Sequence, residues 1–457
     1  MPPSYTDLTT WDHAYLWHPF TQMQDWLAEE PVIIERGEGN YLIDIHGNKY
    51  LDGVSSLWCN VHGHNHLAIN AAITTQLSRI AHSTLLGLAN VPSIVLAKKL
   101  IEIAPPGLTR VFYSDSGATA VEIALKMAFQ YWHLRGASRK VTFASLVEGY
   151  HGDTLGAMSV GYSELFHHLY RPLLMEALRL TPPHRFRFHQ GMSEAEALNA
   201  AIQEARQVLS THREEIAALI IEPLMQGAAG MWTQPVAYVQ ALREITTQYG
   251  ILLICDEVAT GFGRTGKMFA CEHAGISPDL LCVGKGLTGG YLPLAATLTT
   301  EEIFSAFLAP YEEFKTFFHG HTYTGNALAC AAALASLEVF EKEQVLEKVT
   351  ANSTLLTERL RTDFAPLAHV ADIRQWGVMV GIELMRDPER KIPYDPAEKI
   401  SIRVIKEARR QGVIIRPLGN VIVLMPPLSL LAEELALLLD VVRHSILTVT
   451  EDSCAAS

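Results

Sequence analysis

The sequence is short of several features that would narrow its class at once. No C-x-x-C pair occurs, and the six cysteines (Cys59, Cys255, Cys271, Cys282, Cys330, Cys454) are scattered. Cys255 and Cys282 lie inside apolar runs, where a free thiol behaves as a small hydrophobe. This usage fits a reducing, cytoplasmic compartment and excludes a disulfide scaffold. No uninterrupted apolar run approaches the roughly 20 residues needed to span a bilayer. The best candidate, VIVLMPPLSLL, is cut by Pro426 and Pro427. The N-terminus has no basic start followed by an apolar stretch, so no signal peptide is expected. Positive charge is also in deficit, with a formal net charge of −13. That argues against nucleic acid or an anionic membrane surface as partner, because both demand basic patches. Internal repeats and low-complexity tracts are missing too. What remains is a soluble globular chain whose 457 residues suffice for two or three domains.

Strand-like and helix-like segments alternate along the first two thirds. RVFYSD reads as a strand and ATAVEIALKMAFQYWHLRG as a helix, with Val121, Leu125, Ala128 and Trp132 on one apolar face. KVTFAS is a strand. IAALIIEPL is a continuous apolar strand of the kind buried on both faces of a parallel sheet. PVAYVQALREITTQYG is a helix closed by Gly250, and ILLICDEV and DLLCVGKGL are further strands. This βαβ rhythm predicts an α/β fold with a mostly parallel sheet flanked by helices. After about residue 333 the texture changes. LASLEVFEKEQVLEKVTANSTLLTERL reads as one long amphipathic helix, followed by short strands and another helix, which predicts a smaller α+β domain.

The stretch GFGRTGK, Gly261 to Lys267, matches both G-x-G-x-x-G and most of a P-loop. Both matches fail on mechanics. A P-loop needs Ser or Thr after the lysine to hold Mg²⁺, and Met268 stands there. A dinucleotide fingerprint needs its first glycine at the strand end and an acid about 20 residues later. Here the strand ends in Asp256-Glu257, and the next acids, Glu272 and Asp279, come too soon.

A better-placed pair is Asp256 and Lys285, each at the end of a predicted strand. Both would lie at the carboxyl edge of a parallel sheet, where ligands of open α/β folds bind. Lys285, flanked by Gly284 and Gly286, has room for a bulky adduct, and partial burial would free its amine. That describes a Schiff-base lysine, with Asp256 as partner of a pyridine nitrogen. Taken singly, such strand-end charges more often meet only solvent. YSDSGATAVE adds a helix start whose Ser116, Gly117 and Ala118 N–H groups suit a phosphate, with Thr119 and Glu122 as a capping box.

Together, SDSGATAVEIALKMA, EGYHGD, IIEP, CDEVATGFGRTGKMFA, GKGLTGGYLP and HGHTYTGN resemble the pyridoxal-phosphate aminotransferases of fold type I, in the branch that includes the ω-aminotransferases. The resemblance covers nearly the whole chain. It implies three parts: residues 1–65 as an N-terminal segment packing with the small domain and active site, 66–333 as a large cofactor-binding domain, and 334–457 as a small α+β domain. It implies Lys285 as the Schiff-base lysine, Asp256 on the pyridine nitrogen, Tyr150 stacked on the ring, and Ser116, Gly117 and Ala118 around the phosphate. Family members often carry Ser where Ala118 stands. Thr322 resembles a phosphate ligand donated by a neighbouring subunit, with Gly320 beside it, which implies a homodimer with sites at the interface. Arg416 resembles the arginine that grips a substrate carboxylate, and Arg264 the functional residue of a loop lining the site. Glu222 is expected to orient or neutralise a nearby arginine.

Within that branch, LWHPFTQM, VSSLWCNVHGHNH and IIRPLGNVIVLMPPL are similar to enzymes that aminate 8-amino-7-oxononanoate in biotin biosynthesis. The donor implied is S-adenosylmethionine, with lysine as an alternative; another ω-amino acid or diamine aminotransferase is the wider alternative. Phe20 stands where a Tyr is common, and Leu57-Trp58 where two tryptophans are common, so both changes fall in the substrate pocket. His62, His64 and His66 form a cluster that looks metal-binding, but Gly63 and Asn65 suggest a turn and no acid or cysteine stands near. No metal is expected.

Overall fold

The computed structural model describes residues 3–455. Its centre is a seven-stranded sheet made from β1 (Leu108–Ser114), β2 (Thr142–Leu146), β3 (Ala177–Leu180), β4 (Ile216–Ile221), β5 (Leu252–Asp256), β6 (Leu280–Val283) and β7 (Ala295–Thr300). The strand order is β1-β7-β6-β5-β4-β2-β3. Neighbouring pairs are parallel except at β7, which runs against both β6 and β1. Every residue of β4 and β5 is buried. Helices cover both faces of such strands, which is why their sequences are apolar throughout.

Helix α1 (Gly117–Leu134) and helix α2 (Val236–Tyr249) pack on this sheet. Val121, Leu125 and Ala128 form the buried stripe of α1, and Trp132 donates its indole N–H to the Ala217 carbonyl at 2.8 Å. Gly250 closes α2 in the left-handed conformation, a position where a Cβ is costly. Strand β7 was not foreseen, because LAATLTT lacks both alternation and a strong apolar run.

Beyond residue 326 the expected long helix is two helices, α3 (Ala327–Lys342) and α4 (Val345–Arg359). The break falls at Gln344, whose φ is +50°. Neither Gly nor Pro marks it. Tertiary contacts do: Glu343 is held by His66 at 2.9 Å and Lys348 at 3.4 Å. Strands β8 (Val370–Trp376), β9 (Met379–Leu384), β10 (Arg416–Leu418) and β11 (Val421–Leu424) form an antiparallel sheet in the order β8-β9-β11-β10. Ahead of β10 runs α5 (Ile400–Arg410). A third sheet joins the early strands Ile34–Glu38, Tyr41–Asp44 and Lys49–Asp52 to Val413–Ile414 near the other end of the chain. Among the described residues no helix is long and apolar enough to cross a membrane.

Candidate active site

Strands β5 and β6 run parallel, so Asp256 and the segment carrying Lys285 emerge at the same carboxyl edge. They face one cavity of about 470 Å³. The turn after β6 sets Lys285 at φ +40°, a left-handed conformation costly for a residue with a Cβ. Burial lowers the Lys285 pKa, while Asp256 and Glu222 pull the other way. Its Nζ lies 4.8 Å from the Trp58 ring centre. Asp256 is buried and doubly held: Oδ1 accepts the Val258 N–H at 3.0 Å, and Oδ2 lies 2.7 Å from His151 Nδ1.

The start of α1 forms the opposite wall. Ser116 is its N-cap and shares a capping box with Thr119. Glu122 is not that box's partner, as its position had suggested. It accepts from Thr154 Oγ at 2.5 Å and from the N–H groups of Gly156 and Ala157, and so caps the next short helix, Leu155–Val160. Ser116, Gly117 and Ala118 all line the cavity; the Ser116 N–H donates to Thr119 Oγ1 at 3.1 Å, whereas the N–H groups of Gly117 and Ala118 fall in the first turn, which a helix leaves without intrahelical partners. A Cβ on Gly117 would meet Val258 Cγ1 at 2.5 Å, so only glycine permits this close approach. An anion cradle, a buried carboxylate and a partly buried lysine around one cavity are the donor set that a phosphorylated pyridine aldehyde needs. The residues present fit that cofactor.

The remaining walls come from distant parts of the chain. Phe20, Leu57, Trp58, Tyr150 and Arg416 line the same cavity. Tyr150 follows β2, and its hydroxyl donates to Asp153 Oδ2 at 2.8 Å. The Arg416 guanidinium lies 5.8 Å from the Phe20 ring centre, and burial lowers its pKa against the pull of Tyr150. Trp58 sits in a turn where Ser55, Ser56 and Trp58 all have positive φ. The Asp52 carboxylate ties this turn down by accepting the Ser56 N–H at 3.0 and 2.8 Å.

Three expected site residues lie elsewhere. Arg264 is not a cavity residue. It is 1% exposed and donates to the carbonyls of Pro426 (2.5 Å), Trp58 (3.3 Å) and Asn60 (3.2 Å). The loop that carries it turns sharply at Gly263 and Gly266, with φ of +84° and +99°, and this aims the guanidinium inward. Gly320 and Thr322 are exposed and stand away from the cavity of their own chain. Glu222 meets no arginine: it accepts the N–H groups of Tyr150 at 3.0 Å and Gly227 at 2.9 Å, and burial pushes its pKa up to about 7. The three clustered histidines diverge, His62 to Ser336, His64 to Asp52 and His66 to Glu343. His151 was missed as a functional residue, although EGYHGD contains it; nothing in its spacing says that it reaches Asp256, 105 residues away.

Residues 23–446 match the class-III aminotransferases, and the chain belongs to that family. The relatives are specific. It is 55% identical, over 97% of its length and 82% of the relative's, to the adenosylmethionine-8-amino-7-oxononanoate aminotransferase of Nitratidesulfovibrio vulgaris. It is 50% identical to the enzyme of that name from Methanocaldococcus jannaschii, whose crystal structure it matches with a TM-score of 0.92 over 97% of this chain and 99% of that one. An amine transaminase from an uncultivated Pseudomonas species, solved in the PLP-bound internal aldimine form, matches with a TM-score of 0.90 at 37% identity over 95% and 99%.

Proposed function

We propose that this chain transfers an amino group to 8-amino-7-oxononanoate, giving 7,8-diaminononanoate in biotin biosynthesis, with S-adenosylmethionine as donor. Its cofactor is pyridoxal 5′-phosphate. The carrying observation is that Asp256 and Lys285, at the ends of adjacent parallel strands, face the α1 N-terminus across one cavity. The names of the relatives supply the substrates.

In this reading Ser116, Gly117 and Ala118 would hold the phosphate, Asp256 would keep the pyridine nitrogen protonated, and Tyr150 would pack against the ring. When bound, the cofactor supplies an electron sink for charge left on the carbon that loses a proton. Lys285 would hold the cofactor through Nζ and would move a proton at the substrate carbon; its lowered pKa favours the free amine that such a base requires. His151 fixes the Asp256 carboxylate. Arg416 grips the substrate carboxylate with its planar fork. Phe20, Leu57 and Trp58 shape the pocket and exclude water.

The same reading makes the chain a cytoplasmic homodimer. Leu86, Leu88, Phe318 and Tyr323 leave large apolar side chains exposed on two segments that meet where His82 contacts the Thr322 carbonyl at 2.8 Å, and exposed apolar side chains of this kind suit burial against a second copy. Thr322 and Gly320 would then serve the partner's site. Residues 66–333 act as the cofactor domain and 334–457 as the small domain, with 1–65 closing the pocket.

The test is a visible-absorbance scan of the cofactor-loaded protein, then S-adenosylmethionine and lysine added separately without acceptor. Conversion by S-adenosylmethionine followed by amination of 8-amino-7-oxononanoate supports the full reading. Conversion by lysine alone reassigns the donor, and conversion by neither points to another ω-amino donor. An active Lys285→Ala variant would sink the assignment of that lysine.

A further inference from the structure

His167 is 1% exposed and lies behind the cavity wall rather than on it. Its Nδ1 accepts the Ser163 N–H at 3.1 Å, which leaves the ring proton on Nε2. Nε2 makes no hydrogen bond; Asp153 Oδ1 lies 3.6 Å from it, beyond hydrogen-bond length but within ion-pair reach. The other oxygen of Asp153 accepts the Tyr150 hydroxyl proton at 2.8 Å. The Tyr150 and His167 rings lie within 16° of parallel, with centres 6.2 Å apart. Ser163 is anchored in turn through its hydroxyl to Glu148 Oε2 at 2.6 Å. The segment bearing His167 is therefore pinned to the loop that bears Tyr150 and Asp153.

We propose that His167 is a positioning residue that holds the Asp153 carboxylate turned onto the Tyr150 hydroxyl. This rests on the aminotransferase reading of the cavity. With its proton committed to Asp153, the phenol oxygen meets the substrate as a hydrogen-bond acceptor, and the matching group on a substrate is an ammonium N–H. The titratable groups facing His167 are Asp153 and Tyr150 from the loop after β2 and Tyr162 from its own segment, ring centres 6.2 Å apart. Burial pushes Asp153 up, but His167 and the Tyr150 hydroxyl outweigh it and hold the carboxyl below its usual range. Tyr150 is pushed up by burial and then by Asp153, so it stays a phenol.

The test compares His167→Phe, which keeps a ring but loses both nitrogens, with His167→Gln, which keeps an N–H donor. Rates are read on the donor half-reaction by absorbance, so the identity of the acceptor does not enter. His167→Phe is expected to lose about tenfold or more in kcat/KM, the usual effect of losing a polar contact to a charged group. Without its partner Asp153 protonates more readily, so the acid limb of the pH profile moves to higher pH. His167→Gln is expected to recover most of the rate, and in an Asp153→Asn background His167→Phe is expected to add less than about twofold. In the cofactor-free protein the His167 imidazole resonance, assigned by its loss in either variant, is expected to change its chemical shift once Asp153 is Asn. An unmoved acid limb, equal losses in both backgrounds, or an unmoved resonance overturns the proposal. If His167→Phe does not fold, the resonance shift and the His167→Gln profile decide. A wild type that converts no amine donor at all would instead overturn the aminotransferase reading, which leaves the resonance test standing.

Discussion

His151 Nδ1 lies 2.7 Å from Asp256 Oδ2, and both side chains are buried at the edge of the central sheet. The histidine stands in the loop after β2 and the aspartate ends β5, so β4, which pairs with both strands, sets their separation. A carboxylate with one oxygen on a backbone N–H and the other on an imidazole has no freedom to turn. That is the pre-organisation an electrostatic role requires.

His151→Ala should therefore keep the cofactor but lose rate. The expected drop in kcat is about tenfold to a hundredfold, the range for losing a hydrogen bond to a charged group. Asp256→Asn should cost more, because it removes the charge itself. Steady-state rates alongside cofactor absorbance separate lost catalysis from lost binding.

Arg416→Ala is expected to raise KM for the carboxylate substrate by about tenfold to a hundredfold, with a smaller change in kcat. Arg416→Lys should recover only part, since an ammonium lacks the bidentate fork. An unchanged KM in Arg416→Ala would remove this residue from the substrate site.

Glu222 gives a pH prediction with a definite sign. Burial raises its folded pKa from the ordinary 4.5 to about 7. Between those values the folded chain binds more protons than the unfolded chain, so this group's stabilising contribution is full below about pH 4.5 and is lost as pH rises through 7. The loss amounts to about 3 kcal/mol. Urea unfolding from pH 4.5 to 8 should show wild-type stability falling relative to Glu222→Gln by that order. A flat difference would mean that Glu222 is ionised throughout.

Arg264→Met should destabilise the fold by about 3 kcal/mol or more, because it strands three buried carbonyls. Activity should fall with stability, since one of those carbonyls belongs to Trp58, whose ring faces Lys285. Urea midpoints and kcat measured on the same preparation check both. Full stability with lost activity would return Arg264 to the substrate site.

Much of this was legible in the chain. The apolar runs IAALII and LLICD announced strands covered on both sides, and Gly250 announced a helix end, because local sterics and burial on both faces leave their mark residue by residue. That Asp256, Lys285 and Gly117 would share one cavity was legible for a related reason: each sits at an element boundary, where a parallel sheet collects its ligands. His151 and the true partners of Glu222 and Glu122 were not. Their partners are backbone groups or side chains that come near only after folding, and a buried carboxylate reads the same in sequence whether it meets an arginine or an amide.

The sequence by itself determined the α/β class, those strands and helices whose apolar pattern is strong, such as IAALII, LLICD and α1, and the position of Asp256 and Lys285 at strand ends. These follow from periodicity, turn chemistry and residue type, which act over a few positions. Only the tertiary structure decided where the long helix breaks at Gln344, that β7 runs against its neighbours, and that Arg264 turns inward to hold Trp58 rather than outward to substrate. Each of those rests on contacts between residues far apart in the chain, and their energies exist only once the sheets and helices have packed.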